Sequence, residues 1–258
     1  MTEILVHDIM SKPVTIAKSA PLTEALQKML REGVDPLIAV HNNTVTGTVS
    51  RRSIANKLGS KKTSDMAPAA IHVSNVVNDD FTIVYEDQEV DVLLALLQSG
   101  AKLAIVYDSD NNLIGQVTYG DLLHHLHPSA TLLEILEKPY LLDVGERVVH
   151  LRRVMMDENV SHIVVTNDNV AVGIVSETDI AVAMKKFRES VPEKHQDTQI
   201  RNLLAEDIMT SPVITMDVSL GLDAVIDTLL EKKISAIPIT DSGKVIGILT
   251  RKSAIMAL

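Results

Sequence analysis

Four short segments of the chain carry side chains that could bind a phosphorylated sugar. Each has the pattern Gly-x-x-Ser/Thr-x-x-Asp/Ser, and they begin at Gly47, Gly115, Gly173 and Gly247. A strand that ends at Ser or Thr and leads into a helix presents free backbone N–H groups and the positive end of the helix dipole, which suits a phosphate. One turn further, a carboxylate can accept two hydrogen bonds from a ribose diol. The inner copies carry this carboxylate as Asp121 and Asp179, whereas the outer copies have Ser53 and Ser253.

The same spacing has a purely structural interpretation. Ser/Thr-x-x-Asp before an apolar helix is close to a capping box, in which the hydroxyl and the acid satisfy the unpaired N–H groups of the first turn. Both roles can coexist, because the hydroxyl can cap the free protein and turn to a phosphate when ligand arrives. The sequence alone leaves the two alternatives open.

The outer copies place cations at the start of the following helix. These are Arg51 and Arg52 in the first copy, and Arg251 and Lys252 in the last. The helix macrodipole makes a cation there unfavourable by about 0.3 to 1 kcal/mol, so stability alone would not select them. One interpretation is solvated surface charge. The other is phosphate binding, with two composite sites that each join one inner-copy Asp to one basic turn of the same repeat pair.

The four segments mark an internal repeat, which has to be recognised before a fold is assigned. Upstream of each glycine, apolar residues at helical spacing predict an amphipathic helix. Leu22, Leu26 and Met29 illustrate this spacing in the first copy, and Met155 and Met156 belong to the corresponding core face in the third. Each helix is followed by a β-type run, a turn-forming cluster and a second apolar run, which predicts a hairpin. The runs are 37–40, 103–107, 162–166 and 236–240. Each unit is therefore an extended lead, a helix, two strands and a helix.

The length of 258 residues suits two domains of two repeats each. We expect a first pair over 1–127, with repeats at about 1–60 and 70–127, and a second pair over 128–258, with repeats at about 128–190 and 200–258. The polar stretches 56–64 and 185–199 are interpreted as connectors inside the pairs. The join near residue 128 is short, which favours two modules packed closely together.

Composition excludes several function classes. The net charge of −10 and the few aromatics, four Tyr and two Phe, disfavour nucleic-acid binding and anionic membranes, which need a basic field. The chain has no Cys, so it has no disulfide and no thiolate metal site. Its first residues lack the pattern of a signal peptide, and no apolar stretch approaches the length of a membrane span. We expect a cytoplasmic protein.

No catalytic apparatus is visible. There is no Walker-type loop, Ser-His-Asp set or metal cluster. His124 and His125 face different sides of a helix, and with His127 they are interpreted as a solvated helix end. We therefore expect no catalytic residue, no metal site and no required cofactor.

The order of these pieces resembles the cystathionine-β-synthase (CBS) domain family. The segments that carry the resemblance are Asp-Ile-Met-x-x-Pro-Val at 8–14 and 207–213, Ile-Ser-Ala-Ile-Pro-Ile-Thr-Asp at 234–241, and the four glycine segments. It covers essentially the whole chain in four copies. The resemblance implies an α+β fold of four CBS repeats, paired about pseudo-twofold axes, with two clefts in each pair.

The resemblance also implies a function. In the family the clefts bind AMP, ADP, ATP or S-adenosylmethionine, the Asp holds the ribose hydroxyls, and the Ser or Thr touches phosphate. Carried to this sequence with the basic turns, the predicted ligand-binding residues are Ser50, Arg51, Arg52, Thr118, Asp121, His162, Ser176, Asp179, Thr250, Arg251 and Lys252. His162 could equally be a hydrogen-bonded structural residue. We expect a non-catalytic regulatory sensor, with a homodimer and a regulated enzyme or transporter as partners. The alternatives are a module with empty clefts that regulates a separate protein, or a sensor of S-adenosylmethionine.

Overall fold

A computed structural model describes residues 4–60, 66–192, 195–196 and 199–258. The strands are β1 Thr15–Ala17, β2 Leu37–His41, β3 Thr44–Val49, β4 Phe81–Tyr85, β5 Leu103–Tyr107, β6 Leu113–Val117, β7 Leu141–Asp143, β8 His162–Asn167, β9 Val170–Ser176, β10 Met216–Asp217, β11 Ala236–Asp241 and β12 Lys244–Thr250. Lys61 and Lys62, in the first predicted connector, lie outside the described residues.

The helices follow the predicted pattern within each unit. They are α1 Val6–Ile9, α2 Leu22–Glu32, α3 Arg51–Leu58, α4 Val90–Gln98, α5 Tyr119–Leu123, α6 Leu132–Ile135, α7 Val148–Asp157, α8 Glu177–Ser190, α9 Ala205–Ile208, α10 Gly221–Glu231 and α11 Arg251–Met256. Short 3₁₀ turns lie at Pro68–Ala70, Val73–Asn75, Ile200–Asn202 and Val218–Leu220. The second predicted connector, 185–199, begins inside α8, which runs to Ser190.

The strands form four separate three-stranded sheets. In each sheet the first strand lies parallel to the second, and the second and third form an antiparallel hairpin. Asn42 and Asn43 both have positive φ in the first hairpin turn, as do Asp168 and Asn169 in the third. This backbone suits a tight hairpin and favours Asn and Asp, whose side chains tolerate the left-handed region. The α+β fold of four repeats is confirmed.

Two kinds of packing join the repeats. Sheets face each other within a pair: Ile38 of repeat 1 packs with Leu103 and Ile105 of repeat 2, and Val164 of repeat 3 packs with Ile248 of repeat 4. We call repeats 1 and 2 the first module and repeats 3 and 4 the second module. The helices then join the modules, because one apolar core contains the helices of repeats 1 and 3 and another contains those of repeats 2 and 4.

The segment before each helical unit, here called its lead, crosses to the other repeat of its module. The leads are residues 4–14, 66–80, 129–140 and 199–214 for repeats 1 to 4. Backbone bonds show the exchange: Val6 N–H donates to the Gln88 carbonyl (2.9 Å), and Leu22 N–H donates to the Ile71 carbonyl (2.8 Å). In the second module Ile248 N–H donates to the Glu137 carbonyl (3.0 Å). The leads were expected to be extended, but each contains one or two short helical or 3₁₀ turns.

The marker glycines are where the crossing leads come closest. A Cβ at Gly115 would lie 2.5 Å from Met10 Sδ, and one at Gly247 would lie 2.7 Å from Leu136 Cδ1. At Gly47, which has φ +138°, the added carbon would also meet the Asn78 carbonyl oxygen at 2.6 Å. The recurring glycine is therefore required by close approach of a lead, in addition to marking the repeat.

The helical cores follow the predicted periodicity except at the edges of the apolar stripes. Leu22, Leu26 and Met29 are buried, but Leu30 is 47% exposed. Met155 is buried, whereas Met156, predicted on the core face, is 56% exposed. These two side chains lie one position past the stripe, where the helix surface already turns towards solvent.

We predict that replacing Gly47 with Ala destabilises the protein more than replacing Gly33 with Ala. Both have positive φ, but a Cβ at Gly33 meets no atom within 4 Å, whereas at Gly47 it meets backbone of the crossing lead. The difference should be about 1–3 kcal/mol, the usual cost of overpacking. Urea unfolding of both variants measures it, and equal losses would contradict the close approach.

Candidate functional site

The start of the second helix of every repeat faces one central cavity of about 1400 Å³. All eleven predicted ligand-binding residues line it: Ser50, Arg51, Arg52, Thr118, Asp121, His162, Ser176, Asp179, Thr250, Arg251 and Lys252. The sequence predicted two composite sites, one per module. The structure instead brings all four turns to a single cavity, because the helical layers of the two modules pack against each other.

The two inner turns are capping boxes built around their carboxylates. Asp121 Oδ2 accepts hydrogen bonds from Thr118 N–H and the Thr118 hydroxyl (both 2.7 Å). Asp179 Oδ2 accepts the equivalent bonds from Ser176 (2.7 and 2.5 Å). The cap does not use Oδ1 of either carboxylate, so the structural role and a ligand role remain compatible.

The lead of the paired repeat adds one more polar side chain to each inner turn. The Ser11 hydroxyl lies 3.3 Å from Asp121 Oδ2, and the Thr210 hydroxyl lies 3.3 Å from Asp179 Oδ1. These contacts place the leads on the walls of the candidate site.

The turn of repeat 4 has a carboxylate that the sequence analysis missed. Its own position holds Ser253, but Glu137 of the crossing lead accepts a hydrogen bond from the Thr250 hydroxyl (3.0 Å). Glu137 pairs with Ile248 as Thr210 pairs with Ile174. An alignment of the four leads by their position opposite the marker glycines would have indicated Glu137. The lead of repeat 3 is too divergent in sequence for such an alignment.

Arg51 and Arg251 occupy equivalent places in repeats 1 and 4. Each guanidinium donates through Nη2 to a carbonyl at the end of the preceding helix, Met29 (3.1 Å) and Leu229 (3.0 Å). The buried Nε of each has no hydrogen-bond partner among the described residues. Burial lowers the pKa of Arg251; Asp121 opposes this effect, and the like charge of Arg51 adds to it. Arginine side chains keep their charge in proteins, so this positive centre favours an anion.

Arg52 makes a different contact from the one that the sequence predicted. Its guanidinium forms an ion pair with Glu177 and also bonds to Asn159 and to the Val160 carbonyl (3.2 Å), all in repeat 3. Arg251 likewise lies against Gly120 of repeat 2, because a Cβ there would be 2.9 Å from its Nη1. The basic turns therefore meet the acidic turns across the module interface, and not within each module.

Two partly buried carboxylates accompany these arginines. Burial raises the pKa of Asp35 and of Glu177, although Arg51 lowers the first and Arg52 the second. Asp35 also accepts a hydrogen bond from Arg51 N–H (3.0 Å). Sequence motifs did not indicate either residue, because their partners are distant in the chain or outside the repeated pattern.

His162 joins the two repeats of the second module at the cavity wall. Its Nδ1 lies 2.8 Å from the Ser161 hydroxyl and its Nε2 lies 2.8 Å from the Ser235 hydroxyl. Burial lowers its pKa to about 4, and the charge of Arg52 adds to the effect. The imidazole is therefore neutral at physiological pH and links two serines.

The remaining candidates are the histidines near the end of α5. His125 and His127 are exposed, as expected of a solvated helix end, and His124 is exposed at the cavity rim. A search of the described ranges finds no cluster of three or more His, Asp or Glu side chains placed for a metal ion. The same ranges contain no helix with the length and apolar character needed to span a membrane.

Comparison with known families gives four matches along the chain. The family model of the CBS domain matches residues 6–60, 73–128, 125–186 and 205–258. Together these cover most of the chain and coincide with the four structural units.

Two similar proteins come from the archaeon Methanocaldococcus jannaschii. Protein MJ1404 of Methanocaldococcus jannaschii is 23% identical over 95% of this chain, which spans 60% of that protein. Protein MJ1225 of the same organism, a candidate archaeal homologue of γ-AMPK, is 23% identical over 95% of this chain and 94% of its own length. Its crystal structure superimposes with a TM-score of 0.80 over 98% of this chain and 99% of that chain.

A further relative is a transport protein. The choline transport ATP-binding protein OpuBA of Bacillus subtilis is 32% identical over 120 residues, which are 46% of this chain and 29% of that protein.

We predict that His162 makes the protein less stable as the pH falls from 7 to 5. The unfolded imidazole takes up a proton near its ordinary pKa of 6.5, whereas the folded one does so only near 4, so protons favour unfolding in this window. The contribution should be about 1–2 kcal/mol. In a His162→Gln variant, the free energy of unfolding should fall between pH 7 and pH 5 by this amount less than in the wild-type protein. A His125→Gln control should keep the wild-type pH dependence, and equal dependence in all three proteins would contradict the prediction.

Proposed function

The chain belongs to the CBS domain family, and we propose that it is a non-catalytic regulatory protein that binds an adenosine-containing ligand in its central cavity. AMP, ADP, ATP and S-adenosylmethionine are the ligands to consider. The observation that carries the proposal is the convergence of all eleven predicted residues on one cavity. Those residues come from all four repeats and supply both signs of charge.

The roles follow from the chemistry of each group. Asp179 presents Oδ1 towards Thr210, where it can accept hydrogen bonds from ribose hydroxyls. The start of α8 offers the backbone N–H groups and dipole that suit a phosphate, with Ser176 as its cap. Arg51 and Arg251 supply the cationic centre towards which a phosphate chain would extend.

The contact between Arg52 and Glu177 gives the proposed ligand a way to change the molecule. This ion pair joins repeat 1 to repeat 3 and lines the cavity. A phosphate near Arg52 would compete with Glu177 and alter the contact between the modules. Ligand shifts a conformational equilibrium only through such a difference in affinity between two states.

The regulated partner would be a separate enzyme or transporter. The relative from choline transport supports a transporter, and the structural likeness to MJ1225 supports a sensor of the γ-AMPK kind.

A homodimer and a cytoplasmic location stay predictions. The helical faces of the modules are already covered by each other within one chain, so a dimer would need another surface.

Ligand binding should raise the melting temperature. A ligand at 100 times its dissociation constant adds about 2.7 kcal/mol to the free energy of unfolding. We expect at least one of AMP, ADP, ATP and S-adenosylmethionine to produce this shift in a thermal-unfolding assay, with GTP as the control. No shift with any of the four would favour a module whose clefts stay empty.

The two central arginines should discriminate ligands by their phosphates. Loss of a charged hydrogen bond costs about 1.5–3 kcal/mol, so Arg51→Ala and Arg251→Ala should each weaken ATP binding by about 10- to 100-fold. Adenosine binding should change little, because adenosine has no phosphate. Arg153→Ala, at an exposed residue paired with Asp157, is the matched control for titration calorimetry. An equal loss for ATP and adenosine would argue against phosphate contact.

A further inference from the structure

The residue directly after each marker glycine differs between the modules. These residues are Thr48 and Gln116 in the first module, and Ile174 and Ile248 in the second. Each forms a backbone bridge with the lead that crosses its strand. The backbone is thus equivalent in the four repeats, and only the side chain changes.

In repeat 2 the side chain is bonded to the lead. Gln116 is fully buried, and its Oε1 accepts a hydrogen bond from Val14 N–H in the lead (2.9 Å). Thr48 of repeat 1 is also fully buried, but it contacts a side chain of the lead, because its hydroxyl donates to Asn78 Oδ1 (2.7 Å). Both clefts of the first module therefore contain a polar side chain bonded to the lead.

The second module differs at the equivalent places. Val213 corresponds to Val14, and Ile174 corresponds to Gln116. The Ile174 side chain has no polar atom, so it cannot accept a hydrogen bond from the Val213 backbone. The central cavity reaches Ile174, Val213 and Ile214, whereas along the lead of repeat 1 it reaches only Ser11.

Packing alone does not account for Gln116. Its Nε2 is buried and has no hydrogen-bond partner within the described residues, which is a cost in stability. An Ile in this backbone environment avoids that cost, as repeat 3 shows. Gln116 instead accepts the hydrogen bond from Val14 N–H. This bond occupies the backbone N–H group that a ligand base would otherwise meet in this cleft.

We propose that Gln116 closes the cleft beside Asp121, and that the adenosine moiety binds in the second module, beside Asp179 and Ile174. The inference rests on the proposed function and restricts the adenosine site to one of the two modules. Two acidic turns look equivalent in sequence, but only the cleft beside Asp179 gives a base access to the backbone of a lead. Gln116 and Ile174 thereby determine which cleft is used.

A reciprocal exchange tests this assignment. Ile174→Gln places a closing side chain beside Asp179 and should weaken AMP binding by about tenfold or more, as expected when a polar contact and its space are lost. Gln116→Ile opens the cleft beside Asp121 and should add one AMP per chain in titration calorimetry. Adding Asp121→Ala to Gln116→Ile should remove the gained site. Hydrogen exchange of the Val14 amide should accelerate in Gln116→Ile, because its acceptor is gone.

The outcomes distinguish a failure of the cleft assignment from a failure of the proposed function. If the wild-type chain binds AMP but Ile174→Gln binds it equally well, or Gln116→Ile gains no site, the cleft assignment is wrong and the proposed function stands. If none of AMP, ADP, ATP and S-adenosylmethionine binds to the wild-type chain or to either variant, the proposed function fails and the assignment fails with it. Circular dichroism checks that each variant is folded, and Gln116→Ala provides a second opening variant.

Discussion

The close contact between each lead and a glycine of the neighbouring repeat governs the rest of the structure. Because the lead of repeat 1 lies on Gly115 and that of repeat 4 on Gly173, neither member of a module is a complete unit without the other. A 60-residue repeat would bury too little surface to be stable alone, and the exchange ties two of them together. It also makes the lead one wall of each cleft, so the residue beside the glycine controls access to it.

The second constraint is the packing of helices between the modules. Arg152 of α7 shows how this interface is built. Its guanidinium donates to the Gly59 carbonyl (3.1 Å) at the end of α3, and Arg188 of α8 donates to the Leu58 carbonyl (3.2 Å). Cations at a helix C-terminus satisfy its free carbonyls and complement its dipole. Repeat 3 therefore caps a helix of repeat 1, and this geometry brings all four turns to one cavity.

The candidate site combines structural and chemical roles in the same side chains. Ser50, Thr118, Ser176 and Thr250 all cap the helices that follow them, so capping is part of the fold whatever the cavity binds. The arginines are the residues that distinguish a purely structural role from ligand binding. Arg52 is neutralised by Glu177 across the interface, whereas Arg51 and Arg251 each keep a buried Nε without a partner. An anion would complete that arrangement, because a buried N–H group without a hydrogen-bond acceptor is costly.

The sequence by itself determined the repeats, the helices and strands within them, and eleven residues of the cavity wall. These features depend on periodicity and capping, which act between residues that are close in the chain. The tertiary structure alone decided which turns face each other. The pairing of Arg52 with Glu177, the carboxylate that Glu137 brings to Thr250, and the bond from Val14 to Gln116 each join residues about a hundred positions apart. Such contacts follow from how leads and helical layers pack, and no local pattern specifies them. For that reason two acidic turns with the same motif have different surroundings.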